Sequence, residues 1–304
     1  MATNQVPRTI EEHRSRLKYL KVEGGQLAYL DEGTHNKQVI VLMHGMPANS
    51  WLYRKVIPHL TEAGLRVIAP DLLGFGASDK PTDLDNYTLK KQANRIFTLM
   101  NHLKIDKWTQ VCHDLGGPWT FEMVDRGPQH IEKLIVMDTS TYMEGFYPPK
   151  LVGIMGGPMG PMMFSIMRSR LMGKKMIGDF FKSFVGYPEN LTDEVIRGYW
   201  QPLHEGATRP FRQFTKNFKF MLAQFDRYQT ALRRYQKPAM IIWAKKDAAM
   251  DYKIMPAQFA RDLQVPAERI HIFEDASHFM QEDKPQELGK LFADFVKSEQ
   301  MCNL

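Results

Sequence analysis

The sequence has few features that could stabilise a chain other than its own core. Only two of its 304 residues are cysteines, Cys112 and Cys302, which excludes a disulfide framework and a cysteine-based zinc site. No run of about 18 apolar residues occurs, so a membrane-spanning helix is not expected. The first 16 residues lack the apolar stretch of a secretory signal. We therefore expect a cytoplasmic protein whose stability comes from hydrophobic packing.

Basic residues are scattered along the sequence. Forty Lys and Arg residues stand against 34 Asp and Glu residues, a net charge of +6, and the basic ones form only short groups such as Lys174-Lys175 and Arg233-Arg234. This pattern is typical of a solvated surface rather than of a nucleic-acid-binding face. We expect neither a nucleic acid nor a membrane as partner, and the sequence leaves the oligomeric state open.

Short β-type runs alternate with helical patterns in the first 140 residues and again near the end of the chain. The predicted strands are 38–43, 66–69, 109–112, 133–137, 239–243 and 269–273, and the predicted helices are 52–63, 89–103, 118–126, 256–263 and 285–297. Such alternation indicates a mostly parallel sheet covered by helices on both faces. We predict a main α/β domain formed by residues 1–140 and 236–304.

Residues 141–235 break this alternation, because they contain no clear strand and are rich in Met, Phe, Gly and Pro. We predict that they form a helical insertion. Seven methionines fall between Met155 and Met176. They could simply pack the insertion against the main domain, or line an apolar pocket that adapts its shape because Met is flexible. The sequence leaves both interpretations open.

The most informative motif is Val111-Cys112-His113-Asp114-Leu115-Gly116-Gly117, which follows a predicted strand and opens a predicted helix. Small residues after Asp114 permit a sharp strand-to-helix turn that projects the Asp114 side chain above the sheet. This is the geometry of a nucleophile elbow, here with a carboxylate as the nucleophile. The simpler alternative is an aspartate that caps an ordinary helix.

A second motif, His44-Gly45-Met46-Pro47, directly follows the predicted strand 38–43. In a fold of this type, the loop after that strand supplies one backbone N–H to an oxyanion hole. The residue after the nucleophile supplies the other. Met46 and Leu115 are therefore the predicted oxyanion donors.

A histidine and an acid complete the predicted catalytic group. His278 lies just after the last predicted strand, where its imidazole can reach the nucleophile and act as a general base. Asp247 follows strand 239–243 and gives the chain order nucleophile, acid, histidine. Asp138 follows the preceding strand and is the alternative acid, since it could occupy the same space. We favour Asp247 as the acid that orients His278.

Together these motifs resemble those of the haloalkane dehalogenases in the α/β-hydrolase superfamily, with epoxide hydrolases next in pattern. The resemblance covers most of the chain outside the insertion and rests on His44-Gly45-Met46-Pro47, Ser50-Trp51-Leu52-Tyr53-Arg54-Lys55, Pro70-Asp71-Leu72-Leu73-Gly74-Phe75-Gly76-Ala77-Ser78-Asp79-Lys80-Pro81 and His113-Asp114-Leu115-Gly116-Gly117. It implies an α/β-hydrolase fold with a helical cap, an Asp–His–acid triad, and no metal or organic cofactor.

The activity implied is attack of Asp114 on an sp3 carbon of a small apolar substrate. Water activated by His278 then hydrolyses the resulting alkyl ester. Dehalogenases hold the halide with a Trp after the nucleophile and a second donor from the His-Gly loop or the cap. In this sequence Leu115 replaces that Trp, and Met46 stands where an Asn or Glu is usual.

Epoxide hydrolases use two cap tyrosines as donors, and several tyrosines are available in and beside the insertion. These are Tyr142, Tyr147, Tyr187, Tyr199, Tyr228 and Tyr235. Three functions remain open: a dehalogenase-like hydrolase, which we favour, an epoxide hydrolase, and a low-turnover ligand-binding or sensor protein of the same fold. The candidate substrate-pocket residues are His44, Asn49, His113, Tyr147 and Trp200.

Overall fold

A computed structural model describes residues 5–298 of the chain, so Cys302 and the two ends of the predicted main domain lie outside it. Its strands are β1 (Lys18–Val22), β2 (Gly25–Glu32), β3 (Val39–Met43), β4 (Arg66–Asp71), β5 (Trp108–His113), β6 (Ile131–Met137), β7 (Ala239–Ala244) and β8 (Ile270–Phe273). They form a single sheet in the order β1-β2-β4-β3-β5-β6-β7-β8.

The sheet is mostly parallel, as predicted. Strands β3 to β8 pair in parallel, whereas β2 runs antiparallel to both β1 and β4. Every residue of β3, β5 and β7 is buried, because helices cover both faces of the central strands. The sequence prediction missed β1 and β2. Strand β1 lies at the sheet edge, with Lys18, Tyr19 and Lys21 exposed, and lacks the apolar run of a buried strand.

Helices flank the sheet, and seven of the described helices lie between β6 and β7. In chain order the helices are α1 (Ile10–Ser15), α2 (Ile57–Glu62), α3 (Leu89–His102), α4 (Gly116–Arg126), α5 (Lys150–Gly156), α6 (Gly160–Arg168), α7 (Met172–Ser183), α8 (Asp193–Pro202), α9 (Thr208–Lys216), α10 (Phe218–Leu222), α11 (Phe225–Arg234), α12 (Met255–Leu263), α13 (Met280–Asp283) and α14 (Pro285–Lys297). Within residues 5–298, none of them is long and apolar enough to cross a bilayer.

The topology brings the predicted catalytic residues to one edge of the sheet. Asp114, Asp138 and Asp247 directly follow or lie within a few residues of the ends of β5, β6 and β7, and His278 follows β8. The carboxyl ends of parallel strands meet at a common edge, which is where α/β folds place their ligands. Helix α8 of the insertion is tied to this edge, since the Trp51 side chain donates to its Val195 carbonyl at 3.3 Å.

A buried ion pair of the main domain also accepts a hydrogen bond from the insertion. The Arg54 guanidinium donates to both carboxylate oxygens of Glu282, at 2.5 and 2.8 Å. Lys55 lies 2.9 Å from the same carboxylate, and the Tyr199 hydroxyl on α8 donates to it at 2.5 Å. Burial works to raise the pKa of Glu282, but Arg54 and Lys55 outweigh it and hold that pKa below its ordinary value. Glu282 is therefore ionised and fully partnered.

We expect Glu282→Gln to lower the free energy of unfolding at neutral pH by about 3 kcal/mol, because it leaves the buried Arg54 charge without its partner. The matched control is Glu274→Gln, which removes an exposed carboxylate paired with Lys245 and should change stability by less than about 1 kcal/mol. Urea unfolding measures both.

The pH dependence gives a second check on this ion pair. A carboxyl whose folded pKa is depressed contributes stability above its unfolded pKa and loses it as pH falls through the folded value. The stability gap between Glu282→Gln and the unmodified chain should therefore shrink on acidification below the ordinary carboxyl range. A gap equal to that of Glu274→Gln at neutral pH would contradict this account of the ion pair.

Candidate active site

The turn between β5 and α4 holds Asp114 in a strained backbone conformation. Asp114 has a φ of 52°, in the left-handed region that L-residues other than glycine adopt at a cost of about 1–2 kcal/mol. Three backbone hydrogen bonds fix this conformation. The Asp114 N–H donates to the Asp138 carbonyl at 3.1 Å, and the Asp114 carbonyl accepts from the Gly117 N–H at 2.9 Å and from the Thr139 hydroxyl at 2.6 Å. The predicted elbow geometry is thus present.

Two glycines around Asp114 allow the chain to pack this closely. A Cβ atom at Gly45 would collide with the Asp114 side chain, and one at Gly117 would collide with the Thr139 hydroxyl. Glycine is needed here for close approach rather than for an unusual φ. Gly45 therefore makes room for the Asp114 carboxylate, and Gly117 makes room for the Thr139 hydroxyl that donates to the Asp114 carbonyl.

The two predicted oxyanion donors hold the carboxylate itself. The Met46 N–H donates to Asp114 Oδ2 at 2.6 Å, and the Leu115 N–H also stabilises the charged form. Burial raises the pKa of Asp114 above its ordinary value, although His278 and these two N–H groups act in the opposite direction. The Asp114 Oδ1 atom lies 3.8 Å from His278 Nε2, too far for a direct hydrogen bond. Oδ1 therefore has no direct hydrogen bond with His278.

Asp247 is the acid that contacts the histidine. The His278 Nδ1 atom lies 2.7 Å from Asp247 Oδ2. The other Asp247 oxygen accepts the N–H groups of Ala249 at 2.7 Å and Met250 at 3.2 Å. Burial works to lower the pKa of His278, but the carboxylates of Asp247 and Asp114 outweigh it and raise that pKa above its ordinary value. This geometry suits an acid that orients an imidazole and stabilises its charged form.

Asp138 lies nearby but differs in its hydrogen bonding. Its Oδ1 atom accepts the Ala244 N–H at 3.0 Å, and its Oδ2 atom has no partner among residues 5–298. Burial, and then the charge of Asp247, raise the pKa of Asp138 well above its ordinary value. No hydrogen bond to His278 is among its contacts in the described part of the chain. The geometry therefore favours Asp247 over the alternative acid Asp138.

One group of side chains in the described part of the chain has the spacing of a metal site. His113, Asp138 and His278 each offer one ligand atom, and these atoms lie within 4.8 Å of one another. The His113 Nε2–H donates to the His278 carbonyl at 2.8 Å, and burial lowers the pKa of His113 well below its ordinary value. A metal ion here would compete with Asp247 and Asp114 for the His278 ring. The group is more simply the buried support of that histidine.

The five predicted pocket residues require a correction, since none of them lines the main cavity. Their polar atoms bond elsewhere: His44 to Gly45 and Leu72, Asn49 to Gly198 and Trp51, His113 to His278, and Trp200 to Met167. Tyr147 is 56% exposed to solvent. Residue type alone suggested a pocket role. The polar atoms of four of the five side chains, however, already form hydrogen bonds with backbone carbonyl or N–H groups.

The cavity above Asp114 is apolar, with an empty space of about 1020 Å³ that is partly open to solvent. Only three of its lining residues have polar side chains: Asp114, Ser140 and His278. The Ser140 hydroxyl donates to the Tyr142 carbonyl at 2.7 Å. The apolar lining residues come mainly from the insertion and include Met155, Met167, Met176, Phe180, Phe184, Phe211, Phe214, Phe218, Met221 and Phe225. The Met- and Phe-rich composition was the only signal for them.

Neither leaving-group device is found among the described residues that line this cavity. No Trp, Tyr or Asn side chain is among them. Apart from exposed Tyr147, the tyrosines considered as epoxide donors bond elsewhere through their hydroxyls: Tyr142 to Asp262 and Gln258, Tyr187 to Asp275, Tyr199 to Glu282, Tyr228 to Glu122 and Tyr235 to Ile131. The described cavity lining thus combines the Asp114 carboxylate and the His278 imidazole with apolar walls.

Comparison with known proteins identifies the family. A family model for the alpha/beta hydrolase fold matches residues 38–285, so the chain belongs to that family. The structure of Cfl2 from Burkholderia cenocepacia has the same fold, with a TM-score of 0.78, 22% identity, and coverage of 92% of this chain and 95% of that one. The fold predicted from the sequence is confirmed.

Three curated relatives align with most of the chain at modest identity. The haloalkane dehalogenase of Mycolicibacterium paratuberculosis is 28% identical, over 87% of this chain and 85% of its own length. Epoxide hydrolase 3 of Xenopus tropicalis is 25% identical, over 92% and 77%. The cis-3-alkyl-4-alkyloxetan-2-one decarboxylase of Xanthomonas campestris is 28% identical, over 92% and 95%. The resemblance to dehalogenases and epoxide hydrolases is confirmed, and these relatives support a hydrolase.

We expect Asp247→Asn to slow turnover on the order of a thousandfold or more, because the amide cannot stabilise a charged imidazole. Asp138→Asn is the matched variant. It keeps a neutral side chain that still accepts the Ala244 N–H, and it should cost less than about tenfold. Turnover of a substrate that forms an adduct in the experiment below measures both. The reverse ranking would transfer the acid role to Asp138.

Proposed function

We propose that this protein is a hydrolase that forms a covalent alkyl ester on Asp114 and then hydrolyses it with water activated by His278. The observation that carries the proposal is the arrangement of the Asp114 carboxylate. One oxygen is held by the Met46 N–H, and the other lies 3.8 Å from His278 Nε2 at the base of an apolar cavity. An aspartate that only capped a helix, the simpler alternative, would not need a histidine and an apolar cavity beside its carboxylate.

The first step is displacement at carbon. Asp114 Oδ1 attacks an sp3 carbon of the substrate, a carbon–oxygen bond forms, and the bond to the leaving group breaks with its electron pair. Apolar cavity walls place a hydrophobic substrate above the carboxylate and exclude bulk water from it. The attack consumes the negative charge of Asp114, because the product is a neutral ester.

The second step is hydrolysis of that ester. His278 removes a proton from a water molecule, which attacks the carbonyl carbon of the Asp114 ester. The Met46 and Leu115 N–H groups then stabilise the oxyanion on the former carboxylate oxygen. Collapse of this intermediate releases the alcohol, whose oxygen takes the proton from His278, and the carboxylic acid left on Asp114 then loses its own proton to solvent. Asp247 holds the imidazole in place throughout.

The substrate class follows from the leaving group. An epoxide oxygen leaves as a basic alkoxide and needs a donor, whereas bromide and iodide are weak bases that leave with less help. Within the described residues no Tyr, Trp or Asn side chain lines the cavity, and the Ser140 hydroxyl already donates to the Tyr142 carbonyl. This lining favours the carbon–halogen bond over the epoxide. We propose a dehalogenase-like activity on apolar alkyl bromides and iodides.

A strained lactone is a second candidate for the same reason. When Asp114 attacks the ring sp3 carbon of an oxetan-2-one, the departing oxygen becomes a carboxylate, another stable anion. The relative from Xanthomonas campestris is named for dialkyl oxetan-2-ones, and the cavity of about 1020 Å³ is apolar enough for alkyl chains. Ring opening would leave the whole lactone attached to Asp114.

We expect the His278→Gln variant to accumulate the ester, because it keeps the nucleophile but has no base for hydrolysis. Intact mass spectrometry after incubation with a 1-bromoalkane should show the mass of the alkyl group replacing one proton. An epoxide or an oxetan-2-one would add its entire mass instead, so the three substrate classes are distinguished by one measurement.

The control is the double variant His278→Gln/Asp114→Asn, which should give no adduct with any of these compounds. Adduct formation by this double variant would place the ester on another residue. An adduct from the epoxide alone would identify an epoxide hydrolase. No adduct from any class, together with tight binding of an apolar ligand, would favour the low-turnover binding protein.

We expect ester hydrolysis to speed up with pH and then to level off, because His278 must be neutral to act as a base. The midpoint should lie below the pKa of His278 in the free protein, since Asp114 helps to raise that pKa and loses its charge in the ester. Single-turnover kinetics gives the first value, and NMR titration of His278 gives the second. Equal values, or a rate independent of pH, would contradict this role.

A further inference from the structure

The insertion exposes an unusual number of large apolar side chains. Ten such side chains are exposed in the described structure, and seven of them lie in two stretches, residues 145–178 and 206–225. These seven are Tyr147, Ile154, Met159, Met162, Leu171, Met172 and Phe220. Leu171 is 88% exposed and Phe220 is 65% exposed. We call the exposed residues of these two stretches the outer face of the insertion. Exposed apolar side chains concentrated in this way mark a binding surface.

The outer face is also strongly basic. No acidic residue occurs between Glu144 and Asp179 or between Glu205 and Asp226, whereas nine basic residues do. These are Lys150, Arg168, Arg170, Lys174, Lys175, Arg209, Arg212, Lys216 and Lys219. Residues 141–235 carry 14 basic and 7 acidic side chains, a net charge of +7 against +6 for the whole chain. The net positive charge is therefore concentrated in the insertion, because acidic residues are sparse there.

Most of these basic side chains are available to a partner. Within residues 5–298, Lys150, Arg168, Arg170, Arg212, Lys216 and Lys219 are exposed and form no ion pair, whereas Lys174 pairs with Asp193 and Lys175 with Asp179. Apolar and basic side chains also alternate at short range. Arg170 precedes Leu171, Lys219 precedes Phe220, and Lys150 lies one helical turn before Ile154.

We propose that the outer face of the insertion docks on an anionic lipid bilayer. Single apolar side chains flanked by Lys and Arg are the features of a protein that lies on a membrane surface. The apolar groups enter the acyl region while the cations contact anionic headgroups. Lys and Arg can also extend their charged ends toward the headgroups from a position beside buried apolar groups.

A second copy of the chain fits this surface poorly. A two-fold interface would place the same patch on both sides, so nine basic residues would oppose nine others. Like charges in such a contact repel each other. A bilayer instead supplies the opposite charge and the apolar phase together, which matches both properties of the face.

The outer face lies directly over the active-site cavity. Helix α5 turns Leu151, Val152 and Met155 toward the cavity, while Lys150 and Ile154 are exposed. Pro148 lines the cavity and is itself exposed beside Tyr147. These residues place the solvent-open part of the cavity at the docking face.

A second cavity lies beside the main one. It shares Met46, Leu115, Phe214 and Met221 with the main cavity and is also lined by exposed Phe220. Docking of the outer face would thus bring both cavities close to the lipid. Resting on the proposed function, we infer that the substrate is a lipophilic molecule taken from the bilayer.

Co-sedimentation with lipid vesicles tests the docking without any substrate, so its outcome does not depend on the proposed catalysis. The full chain should bind phosphatidylglycerol–phosphatidylcholine vesicles, bind phosphatidylcholine vesicles far more weakly, and dissociate as salt screens the charges. Arg170→Glu/Lys219→Glu should weaken binding by about 25-fold or more, from roughly fivefold per basic residue near an anionic surface. Leu171→Ser/Phe220→Ser should also weaken it at least tenfold.

The matched controls are Tyr19→Ser and Lys21→Glu, which change an exposed aromatic and an exposed basic residue on β1, away from the insertion. Both should bind as the unmodified chain does, and circular dichroism should show all variants folded. No binding to anionic vesicles, or equal loss in the β1 variants, would overturn the proposal. So would concentration-dependent dimerisation that the outer-face variants abolish, because the face would then belong to a second copy.

Lipid delivery has its own readout. Arg170→Glu/Lys219→Glu should slow hydrolysis of a long-chain bromoalkane held in anionic vesicles, but should leave hydrolysis of a short, water-soluble bromoalkane unchanged. Equal rates for both substrates, in a variant that no longer binds vesicles, would overturn delivery from the bilayer.

Discussion

The arrangement of the site depends on one buried charge, the carboxylate of Asp114 at the base of an apolar cavity. Removing a carboxylate from water is costly unless hydrogen bonds replace its hydration, and here the Met46 and Leu115 N–H groups do so. Those donors reach the carboxylate because Asp114 adopts a left-handed backbone and because Gly45 carries no side chain. The strand order of the sheet then brings His278 and Asp247 to the same edge.

The acidic side chains near His278 differ in their hydrogen bonding and in their pKa. Asp247 accepts two backbone N–H groups beside His278, whereas Asp138 accepts one and its other oxygen has no partner among the described residues. Burial and the charge of Asp247 raise the pKa of Asp138 well above its ordinary value. In the proposed ester, Asp114 would lose its charge and would no longer raise the pKa of His278. A larger fraction of His278 would then be neutral at the step that needs a base.

Much of the site was predictable because its residues occur in short motifs at the ends of strands. The positions of Asp114, His278 and Asp247 follow from chain order and from the parallel sheet, and the structure brings them together. Strands β1 and β2 escaped prediction, since exposed β1 has no buried run. The pocket assignments of Asn49 and Trp200 failed for another reason. Sequence does not show that a backbone carbonyl already holds each side-chain N–H.

The methionines of the insertion show the limit most clearly. Met155, Met167 and Met176 line the cavity, whereas Met159, Met162 and Met172 are exposed to solvent. Both groups occur in one run of similar composition, and only the packing of α5, α6 and α7 separates them. The same packing places the apolar cavity beneath a surface that carries both basic and exposed apolar side chains. Such a cavity suits a lipophilic substrate, and none of its described lining residues is a Tyr, Trp or Asn that could donate to a basic leaving group.

Oxygen labelling tests the covalent ester on Asp114 most directly. In a single turnover of a 1-bromoalkane in water enriched in oxygen-18, with protein in excess, water attacks the carbonyl carbon of the ester. The account predicts that the heavy isotope appears in the peptide containing Asp114, while the alcohol carries an unlabelled oxygen from the carboxylate. Label in the alcohol, with none in that peptide, would mean that water attacks the substrate directly and would contradict the central claim.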